Sequence, residues 1–501
     1  MNKLQKIFRD FIDTKNEYPL LAAVAAGLYP TFFYFSNNYG LINSWGHVGF
    51  FILFFLLIPV IGFLIIHKLS RFSMFKKVQK YVLPFLNIFV FLFLLKICLY
   101  AGLEVNISIG VLVVSAFLAF FLHRQLNKII IIQLILAVIG MFTLIPEIVK
   151  QLSYSKEWMI QADSIDEVIF KKKPNIYLIQ PDGYVNFSEL KKGKYNFDPS
   201  DFENYLLSQG FKNYPNFRSN YASTLTSNSA TFMMKHHYYN NGSSSSEAVN
   251  ARDIIISDNS VLKIFKNNGY KTHFLAELPY LLLNRAKLGY DTSNFDYEDL
   301  GYIGTGLEKR QDFLTPLKNV IEEYTDTPNF FFIEIFNPGH IHGSDLDSEG
   351  IEGERALWLK GLESANTIMK NTIDIIKNRD PNALIIVMAD HGGFVGFKHT
   401  KEAYTKTTDK DAIHSIFSSI LSIHWPNNDA PAMDKNFKSA VNLFRVLFSS
   451  LSEDAIYLDH LQEDASYMKI KLGAPKGVYK YIDGNDEITF KRYLSNEYIK
   501  N

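Results

Sequence analysis

The stretch from Leu384 to Gly393 reads LIIVMADHGG. Five apolar residues without a polar break, Leu384 to Met388, predict a strand buried on both faces. The turn that follows sets Asp390 and His391 side by side, a carboxylate and an imidazole of the kind that suit Zn²⁺ or Mn²⁺. Gly392 and Gly393 leave room for backbone to approach. Upstream, Leu362, Ala365, Ile368, Met369, Ile373 and Ile376 recur at helical spacing, and Asp380-Pro381 ends that helix. Before the helix, Phe330 to Phe336 (FFFIEIF) predicts a second strand that runs into Asn337-Pro338-Gly339-His340-Ile341-His342. Thr272 to Leu275 and Asn175 to Gln180 predict two more, the latter leading to Asp182-Gly183-Tyr184. Strands alternating with helices imply an α/β domain with a largely parallel central sheet. Ligands bind beyond the carboxyl ends of such strands, and two strands here end in residues of metal-ligand type. Asp182 by itself reads more readily as a turn or cap residue than as a ligand.

Between the first two strands lies Ser219 to Thr231 (SNYASTLTSNSAT). Ser, Thr and Asn favour a helix N-cap, so this is a polar loop entering a helix. The same geometry serves chemistry. A hydroxyl at a helix N-terminus beside a divalent cation can lose its proton, and free backbone N–H groups there hold a phosphate oxygen. Thr224 and Thr226 are both candidates. His236-His237 follow and could line the cleft, whereas His414, ahead of a strand ending in Trp425-Pro426, reads as structural. Gly242 to Ser246 (GSSSS) predicts a flexible surface loop, and Tyr479 to Tyr493, with Asp483-Gly484-Asn485 at its middle, predicts a hairpin.

The first 150 residues differ in kind. The chain has 51 Lys and Arg against 51 Asp and Glu over 501 residues, which excludes a basic nucleic-acid binder. That balance is a sum of opposites: residues 1–150 hold 13 basic and 5 acidic side chains, the remainder 38 and 46. Five apolar runs occupy residues 1–150, from Tyr18 to Phe35, Val48 to Ile66, Tyr81 to Leu103, Val105 to Leu122 and Ile129 to Ile145. Each is close to the roughly 20 residues that cross a bilayer. Basic residues lie before the first run, between the second and third, and between the fourth and fifth; the alternate loops have none. Because Lys and Arg favour the cytoplasmic side, the N-terminus is expected inside and everything after Pro146 outside. Lys96, near the outer end of the third run, is expected to snorkel or to meet a lipid headgroup. The expected domains are a five-helix transmembrane bundle over 1–150, a juxtamembrane connector over 151–170 and an extracytoplasmic α/β domain over 171–501. Few ionisable groups inside the runs speak against a transporter.

The order strand-Asp182, Thr-bearing segment, strand-Asp390-His391-Gly392 resembles the alkaline phosphatase/sulfatase superfamily. With spans ahead of it, the chain looks like the membrane-anchored branch that includes lipoteichoic acid synthases and phosphoethanolamine transferases. The motif-level likeness runs from about Asn175 to Pro426 and extends to Leu359-Lys360-Gly361-Leu362-Glu363 with Asn366. The resemblance implies an alkaline-phosphatase-like fold, a divalent metal (Zn or Mn) held by Asp182, Thr224, Asp390 and His391, and Thr224 as nucleophile. It favours Thr224 over Thr226 through the pattern Asn220-Tyr221-x-x-Thr224-x-x-Ser227. It makes His340 a donor to the transferred group or its leaving oxygen. The implied function is transfer of a phospholipid-headgroup phosphate ester onto an envelope glycan or lipid, in the plasma (inner) membrane. Membrane lipids, a phospholipid donor and a glycan or lipid acceptor are the implied partners, with no nucleic acid. The alternatives are a sulfatase-like hydrolase and a non-catalytic envelope-binding relative. Two departures stand out: Asp182 is shorter than the Glu of lipoteichoic acid synthases, and no Cys/Ser-x-Pro-x-Arg motif for formylglycine exists. The single Cys98 lies in a membrane run.

Overall fold

The computed structural model describes residues 3–241, 248–308, 310–323 and 326–493, so the Gly242 to Ser246 loop lies outside the described residues. The chain forms two compact units. One comprises Met1–Ser153 with two returning segments, Leu283–Arg285 and Tyr297–Glu308; the other holds the remainder from Tyr154 onward.

In the first unit, four stretches among the described residues are long and apolar enough to cross a membrane: Pro19–Asn38, Trp45–Ser70, Gln79–Tyr100 and Val105–Ser153. The fourth, 49 residues long, contains two helices, Val105–Leu122 and Leu126–Ser153, joined by a 3₁₀ turn at His123–Gln125. Five separate spans were expected; the turn is short and helical, so length and composition alone merge the last two. Close packing here depends on small residues. A Cβ at Gly27 would lie 1.9 Å from the carbonyl oxygen of Phe55, inside the π-helical turn Ile52–Leu57. Asn87 and Gln133 exchange side-chain hydrogen bonds of 2.8 and 3.1 Å, and Asn87 also donates to Ala22 O. These bonds join three helices where water cannot satisfy a polar group. Lys96 is buried, and its ammonium donates to Gly102 O and Leu103 O, in the turn that follows its helix, and to Ser108 Oγ.

The second unit is built on a seven-stranded sheet, β1 (Ile176–Pro181), β2 (Phe211–Asn213), β3 (Lys271–Ala276), β4 (Thr292–Ser293), β5 (Asn329–Ile335), β6 (Leu384–Met388) and β7 (Leu421–His424). The order is β2-β7-β6-β1-β5-β3-β4, and β7 alone runs against its neighbours. Strand periodicity of two assigns each side chain its face. On one face Tyr177, Ile179, Phe331, Ile333, Ile385 and Val387 pack against Leu362, Met369 and Ile373 of the Gly350–Arg379 helix. On the other, Phe332 meets Phe232 of the Thr224–Met233 helix at 5.0 Å between ring centroids, and Phe330 stacks on Phe265 at 4.1 Å. A separate antiparallel sheet joins β8 (Ser466–Ile470), β9 (Gly477–Ile482) and β10 (Ile488–Arg492). The turn of the expected hairpin is fixed by Asp483 Oδ1, which accepts from the N–H groups of Asn485 and Glu487. Arg445, buried, donates to Asp163 and Gln161 and so secures the first residues of this unit.

Candidate active site

β1 and β6 are neighbours in register, Ile176 opposite Leu384, so the residues just past their carboxyl ends come together. Asp182, Asp390 and His391 each offer one ligand atom, and these atoms all lie within 4.8 Å of one another. His391 Nε2 is 3.3 Å from Asp182 Oδ1 and 3.4 Å from Asp390 Oδ2. Asp390 Oδ1 accepts from the backbone of Gly183 and of His391, at 3.2 and 3.0 Å, while its Oδ2 has no hydrogen bond among the described residues. His391 Nδ1–H donates to Gly392 O at 2.8 Å, which turns Nε2 toward the carboxylates. Burial, and then the Asp390 carboxylate beside it, push Asp182 up to about 6. Burial opposes charge on His391, but Asp390 and Asp182 outweigh it and raise its pKa. Two carboxylates and an imidazole Nε2, buried together with an acceptor atom left over, fit a divalent cation of the Zn or Mn kind.

Thr224 completes the cluster. It is the first residue of the Thr224–Met233 helix, behind the extended Ser223, and its hydroxyl donates to Asp182 Oδ1 at 3.4 Å. Thr226 is turned the other way: its Oγ1 donates to Ser223 O at 2.9 Å and pairs with Ser223 Oγ at 2.7 Å. The helix is tied to β1 by a pair that sequence reasoning missed. Gln180 and Asn228 exchange side-chain hydrogen bonds of 2.9 and 2.7 Å. Gln180 is two residues before Asp182 and Asn228 one helical turn after Thr224, so this pair sets the Thr224 segment against the strand that leads to Asp182. An Asn in the helix register of a Thr candidate was the available signal.

His340 stands at the rim, exposed, its ring 6.0 Å from that of His391. Its loop is fastened behind both strands that deliver the cluster. Gly339 N donates to Asp182 O at 2.9 Å, Ile341 N to Gly393 O at 3.2 Å, and Trp358 Nε1 to Gly339 O at 2.9 Å. Gly183 has φ +66°, and a Cβ there would sit 2.1 Å from Gly339 O. The Leu359 to Asn366 stretch serves the same region. A Cβ on Gly361 would come within 2.8 Å of Pro338 O, and Asn366 accepts from the Tyr184 hydroxyl at 2.8 Å. His342 points elsewhere, donating from Nδ1 to buried Glu354 at 2.9 Å.

His236 and His237 serve the fold. His237 Nε2–H donates to Thr226 O and its Nδ1 accepts from Tyr239 N; His236 bonds Tyr221 and Glu463. Both are buried, so the expectation that they could line the cleft is not met. Glu334, in the middle of FFFIEIF, faces Gln180 in register and is fully buried, with neither carboxylate oxygen hydrogen-bonded among the described residues. Burial, then Asp182 and Asp390, push its pKa well up.

The description "Sulfatase" belongs to the family profile that matches residues 198–451, just over half of the chain, taking in Thr224, His340, Asp390 and His391. The chain belongs to the sulfatase family. Family members are transferases or hydrolases, and this chain is an enzyme of that kind. No curated protein matches it. Among solved structures it is similar to the C-terminal periplasmic domain of EptC from Escherichia coli in complex with Zn (11% identity, TM-score 0.40, 57% of this chain and 85% of that one). It is also similar to the lipoteichoic acid synthase LtaP from Listeria monocytogenes (13%, 0.40, 66% and 92%). A third is the soluble domain of lipooligosaccharide phosphoethanolamine transferase A from Neisseria meningitidis (12%, 0.40, 58% and 92%).

Proposed function

We propose that this sulfatase-family protein is a membrane-embedded phospho-group transferase that works through a threonine ester. The observation that carries the reading is the Thr224 hydroxyl, 3.4 Å from Asp182 Oδ1 and at the start of a helix, beside the Asp390-His391 pair. Asp182, Asp390, His391 and Thr224 would hold a divalent cation, Zn or Mn. When bound, it offsets negative charge on the transferred group and favours the ionised form of a nearby hydroxyl. Thr224 Oγ1 forms a bond to the phosphorus of a phospholipid headgroup as the bond to the diacylglycerol oxygen breaks. His340, its Nδ1–H committed to Ile341 O at 2.7 Å, holds at Nε2 the proton that passes to that oxygen. The hydroxyl of an envelope glycan or lipid then gives its proton to His340 Nε2 as its oxygen bonds to the phosphorus and the bond to Thr224 Oγ1 breaks, which regenerates both residues. The missing formylglycine motif and the threonine in its place favour phosphate over sulfate esters.

The membrane arrangement is part of the proposal. The chain crosses five times, the 49-residue stretch twice, with the N-terminus in the cytoplasm and the catalytic domain outside. This is supported by Tyr81, at the start of one span, stacking on Phe120 at the end of the next (5.5 Å), and by Asn127 donating to Phe11 O and Thr14 O at the N-terminal end. Fixing the domain to the bilayer raises the local concentration of lipid donors.

Incubation of the purified protein with headgroup-labelled phospholipid and Mn²⁺ or Zn²⁺, followed by peptide mass spectrometry, tests the reading. A phospho-headgroup adduct on the Asn220 to Thr231 peptide is expected, and it is absent from Thr224→Ala. An adduct that persists in Thr224→Ala moves the nucleophile elsewhere. Full activity in both Thr224→Ala and Asp390→Ala removes the mechanism. Release of free phospho-headgroup without an acceptor makes the enzyme a hydrolase.

A further inference from the structure

A recess runs along the first unit between the Trp45–Ser70 and Gln79–Tyr100 helices, with a volume of about 720 Å³. Phe54, Ile58 and Gly62 form one wall, Phe89 and Phe93 the other, and Tyr302 with Ile303 closes one end. Among the described residues that line it, the Tyr302 hydroxyl is the sole hydrogen-bonding side-chain group, so these offer little to a sugar, a nucleotide or a peptide backbone. From Phe50 to Ile66 the wall extends over about 24 Å of helix rise, within a hydrocarbon layer of about 30 Å. The solvent on this surface is lipid, and what fits a long, narrow, apolar recess is one hydrocarbon chain.

The Tyr302 end differs from the rest. Tyr302 stacks on Phe50 at 4.8 Å between centroids and 13° between planes, and meets His47 edge-on at 5.3 Å. The Arg285 guanidinium lies over the opposite part of Tyr302, 4.0 Å from its centroid, held by Tyr297 O and Leu300 O. Trp45, 88% exposed at the start of the same helix, is the residue expected at a bilayer interface. A cation and an interfacial tryptophan thus stand at one end of an apolar recess, a distribution complementary to a chain that carries an anionic head. The polypeptide closing that end, Tyr297–Glu308, is continuous in sequence with the catalytic domain.

We infer that the recess holds an acyl chain of the phospholipid donor, with its phosphate at the Tyr302–Arg285 end. This deepens the phospho-transfer reading and rests on it. A donor held by its chain presents its headgroup at one interfacial position instead of sampling the whole membrane plane.

The test uses full-length protein in phosphatidylglycerol vesicles containing a trace of phosphatidylcholine with a diazirine on one acyl chain. After illumination, adducts are mapped by peptide mass spectrometry. They are expected to concentrate on Phe50–Ile66, Leu86–Leu103 and the Tyr302 peptide. A Cβ at Gly62 meets nothing within 4 Å, and neither does one at Gly110 on another span. Gly62→Phe should therefore lose the recess adducts, and Gly110→Phe should keep them; Gly62→Leu and Ile58→Trp repeat the test should Gly62→Phe not fold. Gly62→Phe should also lose turnover of a long-chain phospholipid while keeping that of a dihexanoyl analogue. Adducts spread evenly over the spans, Val105–Leu122 included, or unchanged in every filling variant, overturn the inference. So do adducts displaced by undecaprenyl phosphate and not by excess phospholipid. Labelling of the recess in a protein that turns over no phospholipid removes the catalytic reading and leaves the recess assignment standing.

Discussion

Asp182 and Gly183 concentrate more of the site than any other pair of residues. Asp182 reaches Thr224 and His391, and Gly183 gives its N–H to Asp390 while its α-carbon lies against Gly339. Gly183→Ala introduces a Cβ 2.1 Å from a backbone oxygen at φ +66°. Relief requires displacing the His340 loop, at a cost of about 1–3 kcal/mol for the strained backbone. We expect lower thermal stability together with a larger loss of turnover than of substrate binding, read from kcat against KM. Asp390→Asn keeps an acceptor for Gly183 and His391 but removes the charge, so the fold should persist while bound metal, read by elemental analysis, is lost. Thr226→Ala forfeits the hydrogen bond to Ser223 O, about 1 kcal/mol of stability, and should leave turnover near that of wild type. Much of this was legible. Asp182, Asp390 and His391 each follow an apolar strand, and adjacent parallel strands deliver such residues to one edge. The preference for Thr224 over Thr226 came from the resemblance through Asn220-Tyr221-x-x-Thr224-x-x-Ser227; which way each hydroxyl turns within one helical turn is not written in the residues themselves. Glu334 was hidden for a related reason: within FFFIEIF it reads as part of a core strand, and its lack of a hydrogen-bond partner among the described residues is a fact of three dimensions.

The Thr224–Met233 helix is held from three sides: by Gln180–Asn228, by Phe232 on Phe332, and by His237, which donates to Thr226 O. The histidine support is sensitive to acid. Burial depresses His236 to about 4 and His237 to about 3, against an ordinary value of 6.5. Below 6.5 the unfolded chain takes up protons that the folded one refuses, so ∂ΔG/∂pH is positive there. The stability this pair supplies is fully present above pH 6.5 and is lost as the pH falls through about 4 and then 3. Melting temperatures of detergent-solubilised protein between pH 7.5 and 4.5 should show this decline. A His236→Gln/His237→Gln double variant should melt lower at pH 7.5 yet show a shallower decline; an equal slope would assign the acid sensitivity to other groups. At this scale the long apolar strands β1, β3, β5 and β6 were readable from composition. The short strands were not: β2 and β4 are three and two residues long, below any periodicity. The reversed direction of β7 is a matter of connection, which side-chain pattern does not encode.

For the molecule as a whole, the zero net charge is a sum over two units with different solvents. The proposed five-crossing topology places Ser73 inside and Asn38 outside. In a Cys98→Ala background, a membrane-impermeant maleimide applied to intact cells should label Asn38→Cys and not Ser73→Cys; the opposite pattern inverts the protein, and labelling of both defeats the scheme. The polar and mixed character of Tyr297–Glu308 concealed its membership of the membrane unit, since a run such as EDLGYIGTGLE has no spanning signature. The chain passes from one unit to the other after Ser153, Leu282, Arg285, Asp296 and Glu308. Protein engineers seeking a water-soluble version by cutting before Tyr154 would therefore inherit an orphaned sticky loop, with Tyr302 and Ile303 bare. Replacing those two residues with polar ones, or shortening the loop, is the change that should turn an aggregating truncation into a tractable reagent.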